Sequence, residues 1–274
     1  MKTKFISNIA IFMFAIHFVS AQENVEKKPL SIGETVSFPS KILNENRVLN
    51  IYLPHGYSED ASKKYPVIYL LDGSMDEDFL HIAGLVQFGS FSWINMVPET
   101  IVVGISNIDR KRDYTYPSTD EAYVKKYPTT GKSEVFISFL EKEVQPFIQT
   151  NYSISDEKTL IGQSLGGLLA TEILFKKPDL FDNYIIVSPS LWYDYESLLK
   201  IKPVDYNSKK NIFVAVGEEG DIMKRVANEL YEKLKANKSK KTNLFYKFLK
   251  EQDHGDALHL AVYNAFEEMF VEKK

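Results

Sequence analysis

Short runs of apolar, largely β-branched residues alternate along this chain with longer stretches of helical periodicity. That alternation constrains the fold more than any other feature. Pro66-Val67-Ile68-Tyr69-Leu70-Leu71 stops abruptly at Asp72-Gly73, and Thr100 to Ile105 is a second run of the same kind. Continuous runs bounded by turn residues suit strands buried on both faces of a parallel sheet. Lys158 to Ile161, Tyr184 to Val187, Ile212 to Val216 and Asn243 to Leu249 predict further strands. Arg47 to Leu53, alternating around Val48, Leu49, Ile51 and Leu53, predicts an earlier one that ends at Pro54. Ser133 is placed to cap a helix with Val135, Phe136, Phe139, Leu140 and Val144 on one face, which Pro146 is set to bend. Helices are also expected over Gly166 to Lys177, along the face of Met223, Val226, Ala227, Leu230 and Leu234, and over Leu258 to Phe270. This β-α-β-α order predicts an α/β sandwich around a mostly parallel sheet. Neither a repeat nor a linker divides it, so residues 31–274 are expected to form one domain. Asn107 to Lys132 is the longest stretch without a strong pattern, and loops of that length are often functional.

The amino terminus bears on compartment. Lys2 and Lys4 precede an almost wholly apolar run from Ile9 to Val19, and Val19-Ser20-Ala21 ends in small residues. Basic head, apolar run and small-residue end read as a secretory signal peptide over residues 1–21. The run is short for a membrane span of about 20 residues. A periplasmic or secreted protein is therefore expected, with no stable membrane insertion after cleavage. Residues 22–30 are charged and aperiodic, a flexible lead-in. Cleavage would remove two lysines and no acid, leaving 31 basic against 37 acidic residues, a net charge of −6. The charges are intermixed, so nothing favours a nucleic acid partner. The chain has no cysteine, which excludes a disulfide framework, a thiolate metal site and a cysteine nucleophile.

The chemistry centres on Gly162-Gln163-Ser164-Leu165-Gly166, followed by Gly167. This is the G-x-S-x-G pattern of a nucleophile elbow, in which a strand turns sharply into a helix and exposes a strained serine. The strand pattern before it and the helical pattern after it supply the required context. In this arrangement the acid and then the histidine follow the serine along the chain. His55 and His81 precede Ser164 and His17 lies in the leader, which leaves His254 and His259. His254, in Asp253-His254-Gly255-Asp256 just beyond the last strand, is favoured as base, while His259 lies inside the final helix. Three carboxylates follow the Ile212 to Val216 strand in Gly217-Glu218-Glu219-Gly220-Asp221. Glu219 is favoured slightly over Asp221, whose alternative role is to cap the next helix. Asp194 is the third candidate. The oxyanion hole would use the backbone N–H of Leu165 and a second N–H from Gly73 or Ser74 after the early strand.

These residues, with Tyr65 to Gly73, Val103-Gly104-Ile105 and Ser188-Pro189-Ser190-Leu191-Trp192, resemble the bacterial putative-esterase family of α/β hydrolases. The family includes esterase D-like enzymes, siderophore esterases, feruloyl and acetyl-xylan esterases, and mycolyltransferases. The resemblance spans roughly Ser31 to Phe270 and implies an α/β-hydrolase fold with Ser164 as nucleophile and His254 as base. It would place the acid at Gly220, between the two carboxylates, and so leaves Glu219 and Asp221 both open.

The sequence therefore predicts a serine esterase working through an acyl-enzyme, with no cofactor and no metal. Its substrate would be a small-molecule or carbohydrate ester of siderophore, feruloyl or acetyl-sugar type. Arg110 and Arg112, after the Val102 to Ile105 strand, are candidates to bind a carboxylate or catecholate, and Trp192 to line an acyl pocket. The rival readings are an acyltransferase and a non-catalytic carbohydrate- or siderophore-binding protein on the same scaffold.

Overall fold

The computed structural model describes residues 26–59 and 62–271, so the expected signal peptide lies outside the described residues. Strands β1 (Gly33–Ser40), β2 (Glu45–Tyr52), β3 (Tyr65–Leu70), β4 (Ile101–Ile105), β5 (Ile154–Gln163), β6 (Asn183–Val187), β7 (Lys210–Gly217) and β8 (Thr242–Leu249) form one sheet. Its spatial order is β1-β2-β4-β3-β5-β6-β7-β8. β1 and β2 pair antiparallel, as do β2 and β4, and every pairing from β4 to β8 is parallel. Helices α1 (Phe79–Gly89), α2 (Arg110–Tyr114), α3 (Glu121–Lys126), α4 (Ser133–Phe139), α5 (Gln145–Asn151), α6 (Leu165–Lys176), α7 (Tyr193–Lys200) and α8 (Asp221–Asn237) lie in the connections, and α9 (Ala257–Met269) follows β8. Residues 26–30, from the expected lead-in, form no regular structure, and the described residues from Ile32 onward form one compact unit.

The apolar runs are explained by burial on both sides. In β3, Val67 and Tyr69 enter one core with Phe136, Leu168 and Leu230, while Ile68 and Leu70 enter a second with Ile82, Val262 and Phe266. α1 and α9 thus cover one face of the sheet, and α4, α6 and α8 pack on the other. Either face left bare would expose a row of large side chains, each worth about 1.5–3 kcal/mol on burial.

The structure adds one strand that the sequence pattern does not announce, moves one helix cap and shows how Pro146 acts. β1 carries no clear alternation in the sequence because it is an edge strand, with only Ser40 fully buried. Ser133 does not cap α4 but is its first residue, after Lys132. Pro146 lacks an N–H to bond the preceding turn, and the chain takes a π-helical turn over Leu140–Val144 between α4 and α5. The long segment from Asn107 to Lys132 carries the short helices α2 and α3.

Candidate active site

The parallel strands end along one edge of the sheet, and the loops after them build the site. β5 delivers Ser164 into the turn before α6 with φ 60° and ψ −120°, a conformation that ordinary residues adopt only when neighbours hold it. The Ser164 N–H donates to Val187 O at 3.1 Å, and Ser164 O accepts from the N–H groups of Ser190 at 3.0 Å and Leu168 at 2.9 Å. The turn is tight enough that a Cβ on Gly162 would lie 2.4 Å from Gly166 O. Ser164 Oγ pairs with Ser190 Oγ at 3.3 Å. Leu165 opens α6, so its N–H has no acceptor one turn earlier in the helix.

The acid and the histidine come from the next loops. Glu219 follows β7 with its side chain almost wholly buried, and its Oε2 lies 2.5 Å from His254 Nδ1. Its Oε1 accepts from the Gly217 N–H at 2.9 Å and from the Ser188 hydroxyl. Burial pushes this carboxyl upward, but hydrogen bonds from His254, Ser188 and Gly217 outweigh it and hold the acid below its ordinary range. His254 sits after β8 with its side chain 48% exposed. Its loop is tied from within, by Gly255 N–H to Asp253 Oδ1 and Asp253 N–H to Asp256 Oδ1, each 2.7 Å. It is also tied to the elbow, because Gln163 Nε2 donates to His254 O at 2.6 Å.

Ser164 and His254 together line two adjoining surface depressions. One is completed by Ser190, Trp192, Glu219 and Met223, the other by Asp72, Glu77, Asp78 and Arg110. Trp192 is 41% exposed, so it lines an open recess rather than a sealed pocket.

Several candidates from the sequence lie elsewhere. Asp221 does not join the cluster: it begins α8 with its side chain fully exposed and meets only Lys224, at 3.6 Å. It caps nothing, since Gly220 occupies the cap position. Asp194 is spent on Ser118, Thr119 and Ser197. His259 stacks on His81, with ring centres 5.1 Å apart. Arg112 turns away from the recess to Glu45 and Asp113, where it joins the buried Arg47. The Gly73 N–H already donates to Ile105 O at 3.0 Å, so it is not a free oxyanion donor. Ser74 offers the better second N–H, held only by a long 3.4 Å contact to Glu77. Arg110 reaches the recess but is clamped on Asp72. Nothing in the sequence marks Gln163, Ser188 and Ser190 as site residues, although all three stand in segments that carry the family resemblance. Among the described residues no cluster of three or more metal-binding side chains occurs, and no helix is long and apolar enough to cross a membrane.

Comparison with known proteins adds identity to this geometry. The family model described as "Putative esterase" matches residues 40–273. A ferri-bacillibactin esterase of Bacillus subtilis, BesA, is 31% identical over 215 residues, covering 70% of this chain and 74% of its own. An IroE-like serine hydrolase from Shewanella oneidensis superposes with a TM-score of 0.77 at 31% identity, over 87% of this chain and 80% of that one. The BES protein from Bacillus cereus superposes with a TM-score of 0.77 at 27% identity, over 90% and 99%.

Proposed function

The chain belongs to the putative-esterase family and is an ester hydrolase of α/β-hydrolase fold, and on that premise we propose a serine mechanism carried by Ser164, His254 and Glu219. The observation that carries the reading is the buried Glu219 carboxylate held 2.5 Å from Nδ1 of a histidine that shares its recess with the elbow serine. Glu219 accepts the Nδ1 hydrogen and so leaves Nε2 as the basic nitrogen. Ser164 Oγ turns from Ser190 toward Nε2 and gives up its proton as it attacks the ester carbonyl. Such contacts often tighten only when substrate binds. The negative charge on the carbonyl oxygen is met by the N–H groups of Leu165 and Ser74. Collapse expels the alcohol, which takes the proton from His254, and leaves an acyl group on Ser164. Water then attacks with His254 as base and releases the acid.

For substrate we favour a bulky siderophore-type ester over a feruloyl or acetyl-sugar ester. Two observations support this: BesA and the IroE-like hydrolase are relatives at 31% identity, and the recess is open, with His254 and Trp192 each nearly half exposed. A bulky ester reaches such a serine without threading a tunnel. Export through the N-terminal signal is part of the same proposal.

The test is to purify the chain from Gln22 onward and screen trilactone siderophore, feruloyl, acetyl-sugar and short-acyl esters, alongside labelling with a fluorophosphonate. One label on Ser164, and loss of both label and turnover in Ser164→Ala, are expected. Full turnover by a folded Ser164→Ala protein would overturn the mechanism. Export is checked by the N-terminus of the mature protein, which should be Gln22.

A further inference from the structure

A second cavity lies at the other edge of the sheet, where the parallel strands begin, away from Ser164. It encloses about 340 Å3 between the start of β5 and helix α5. An irregularity in the sheet opens it. Tyr65 pairs with Ile154 but Val67 pairs with Lys158, so β5 spends four residues where β3 spends two. A bulge of this kind interrupts the ladder and re-aims the side chains it carries. Glu157 turns to Asn183 and accepts its Nδ2 hydrogen at 2.9 Å, while Ser155, Asp156 and Lys158 line the cavity.

Two hydroxyls on the wall have nothing to bond. Tyr69 is 1% exposed, its ring set edge-on to Phe181 with centres 5.6 Å apart, and its hydroxyl has no partner. The Ser155 hydroxyl is likewise buried and unpartnered. Leaving a buried polar atom without a partner is costly, and most in folded proteins are satisfied. Burial also pushes the Tyr69 phenol upward, so it keeps its hydrogen and can donate it.

Cations stand beside these donors. Lys158 Nζ donates to Gln145 Oε1 at 3.2 Å, but a neutral amide takes one of its three hydrogens and balances none of its charge. Lys64 lies on the exposed side of the lining. Asp156 is the one carboxylate on the lining among the described residues. Two ammonium groups against one carboxylate leave the cavity with an excess positive charge.

We propose that this cavity is a second binding site, for a small oxyanion, a carboxylate or a phosphate, held by the Tyr69 and Ser155 hydroxyls and the Lys158 ammonium. Such a ligand accepts from all three groups and neutralises the excess charge. A neutral polyol would leave that charge unmet, and a cation would face two like charges. The proposal goes beyond the esterase reading and does not depend on the serine mechanism.

The experiment titrates the purified protein with sodium acetate, inorganic phosphate and glycerol in turn, at ionic strength held constant with chloride. Calorimetry gives the affinity and backbone amide NMR the location. The variants are Tyr69→Phe, Ser155→Ala, Lys158→Gln, Asp156→Asn and, as a control at the other edge of the sheet, Ser164→Ala. Tyr69→Phe keeps the ring packed on Phe181 and removes only an unpartnered hydroxyl, so it should fold; Ser155→Ala and Lys158→Gln test the site independently. Saturable binding of acetate or phosphate is expected, tighter than about 10 mM, with shifts centred on Ser155 to Lys158. The preferred anion tells a carboxylate site from a phosphate site. Tyr69→Phe and Lys158→Gln should each weaken binding about 10–100-fold. Asp156→Asn should tighten it, and Ser164→Ala should leave it unchanged. No saturable binding of either anion would mean that the cavity holds water alone, and would overturn the proposal. So would binding of glycerol without binding of either anion, wild-type affinity in both Tyr69→Phe and Lys158→Gln, or shifts centred on Ser164 and His254.

Discussion

Replacing Glu219 by Gln tests the catalytic reading at its tightest contact. The exchange keeps size and shape, so its effect comes from which atoms donate. Oε1 of Glu219 accepts from the Gly217 N–H and from the Ser188 hydroxyl, and Oε2 faces His254 Nδ1. In Glu219→Gln the carbonyl oxygen belongs in the Oε1 place, because a backbone N–H cannot rotate away from an amide nitrogen. The amide nitrogen then stands opposite Nδ1, at a position now 2.5 Å away. Two donors cannot share that contact, so the imidazole takes the tautomer with hydrogen on Nε2, which cannot accept the serine proton. The comparable exchange in a serine protease lowers kcat about 10⁴-fold. With a nitrophenolate leaving group, which needs little help from an acid, the expected loss is nearer 10²–10³-fold, within the usual range for general base catalysis. KM should hold within about threefold. The assay is steady-state kinetics on a p-nitrophenyl ester, with circular dichroism to establish folding and imidazole nitrogen NMR to read the tautomer. A folded Glu219→Gln enzyme with kcat within about threefold of wild type would refute the triad.

Asp221→Asn should leave kcat unchanged and move stability by less than about 0.5 kcal/mol in urea titration, since this exposed side chain meets only Lys224. Ser188→Ala removes one of three donors to Glu219 and should lower kcat roughly tenfold, equivalent to about 1.4 kcal/mol, with KM steady in the same assay. Asp78 is raised to about 6 by burial and by the neighbouring charges of Asp72 and Glu77, with Arg110 opposing. A carboxyl raised in the fold holds its proton more tightly than in the unfolded chain, so the cost that Asp78 imposes on stability should fade as pH falls from above 6 toward 4. The rise from 3.8 to about 6 corresponds to about 3 kcal/mol, which solvent reduces to roughly 1–2 kcal/mol. Asp78→Asn should therefore be the more stable protein by that amount at pH 7.5 and equal to wild type near pH 4, by urea unfolding at both values.

The parts of this molecule visible in its sequence are those where composition and geometry coincide. β3 and β4 are apolar throughout because both faces are covered, and the elbow carries glycines because its strand and helix nearly touch at Gly162 and Gly166. Glu219 and Asp221 look alike in sequence, being carboxylates two apart after one strand. Gly220, at φ 85°, separates them, so that one turns in beneath His254 and the other into solvent. Arg110 and Arg112 are likewise two apart, on the single turn of α2. One reaches Asp72 beside the recess and the other Glu45 away from it, a division that no local pattern encodes. Gln163, Ser188 and Ser190 act only through contacts formed between loops, and isolated polar residues carry no periodicity to betray them.

Those contacts explain how an open site keeps its geometry. Half of the His254 side chain faces solvent, and nothing buries the imidazole as a whole. Its position comes instead from links between successive loop ends: Arg110 joins the loops after β3 and β4 to the elbow, Gln163 joins the elbow to the His254 loop, and Ser188 joins the end of β6 to Glu219. Ser190 closes the series by bonding Ser164 through both backbone and hydroxyl. Each link starts from a residue within a few positions of a strand end, where the parallel sheet already fixes the backbone, so little conformational freedom remains to be lost when substrate arrives. A site held this way needs no closing lid to align its groups. It can therefore leave Ser164 half-buried in an open recess, which suits the bulky ester proposed above.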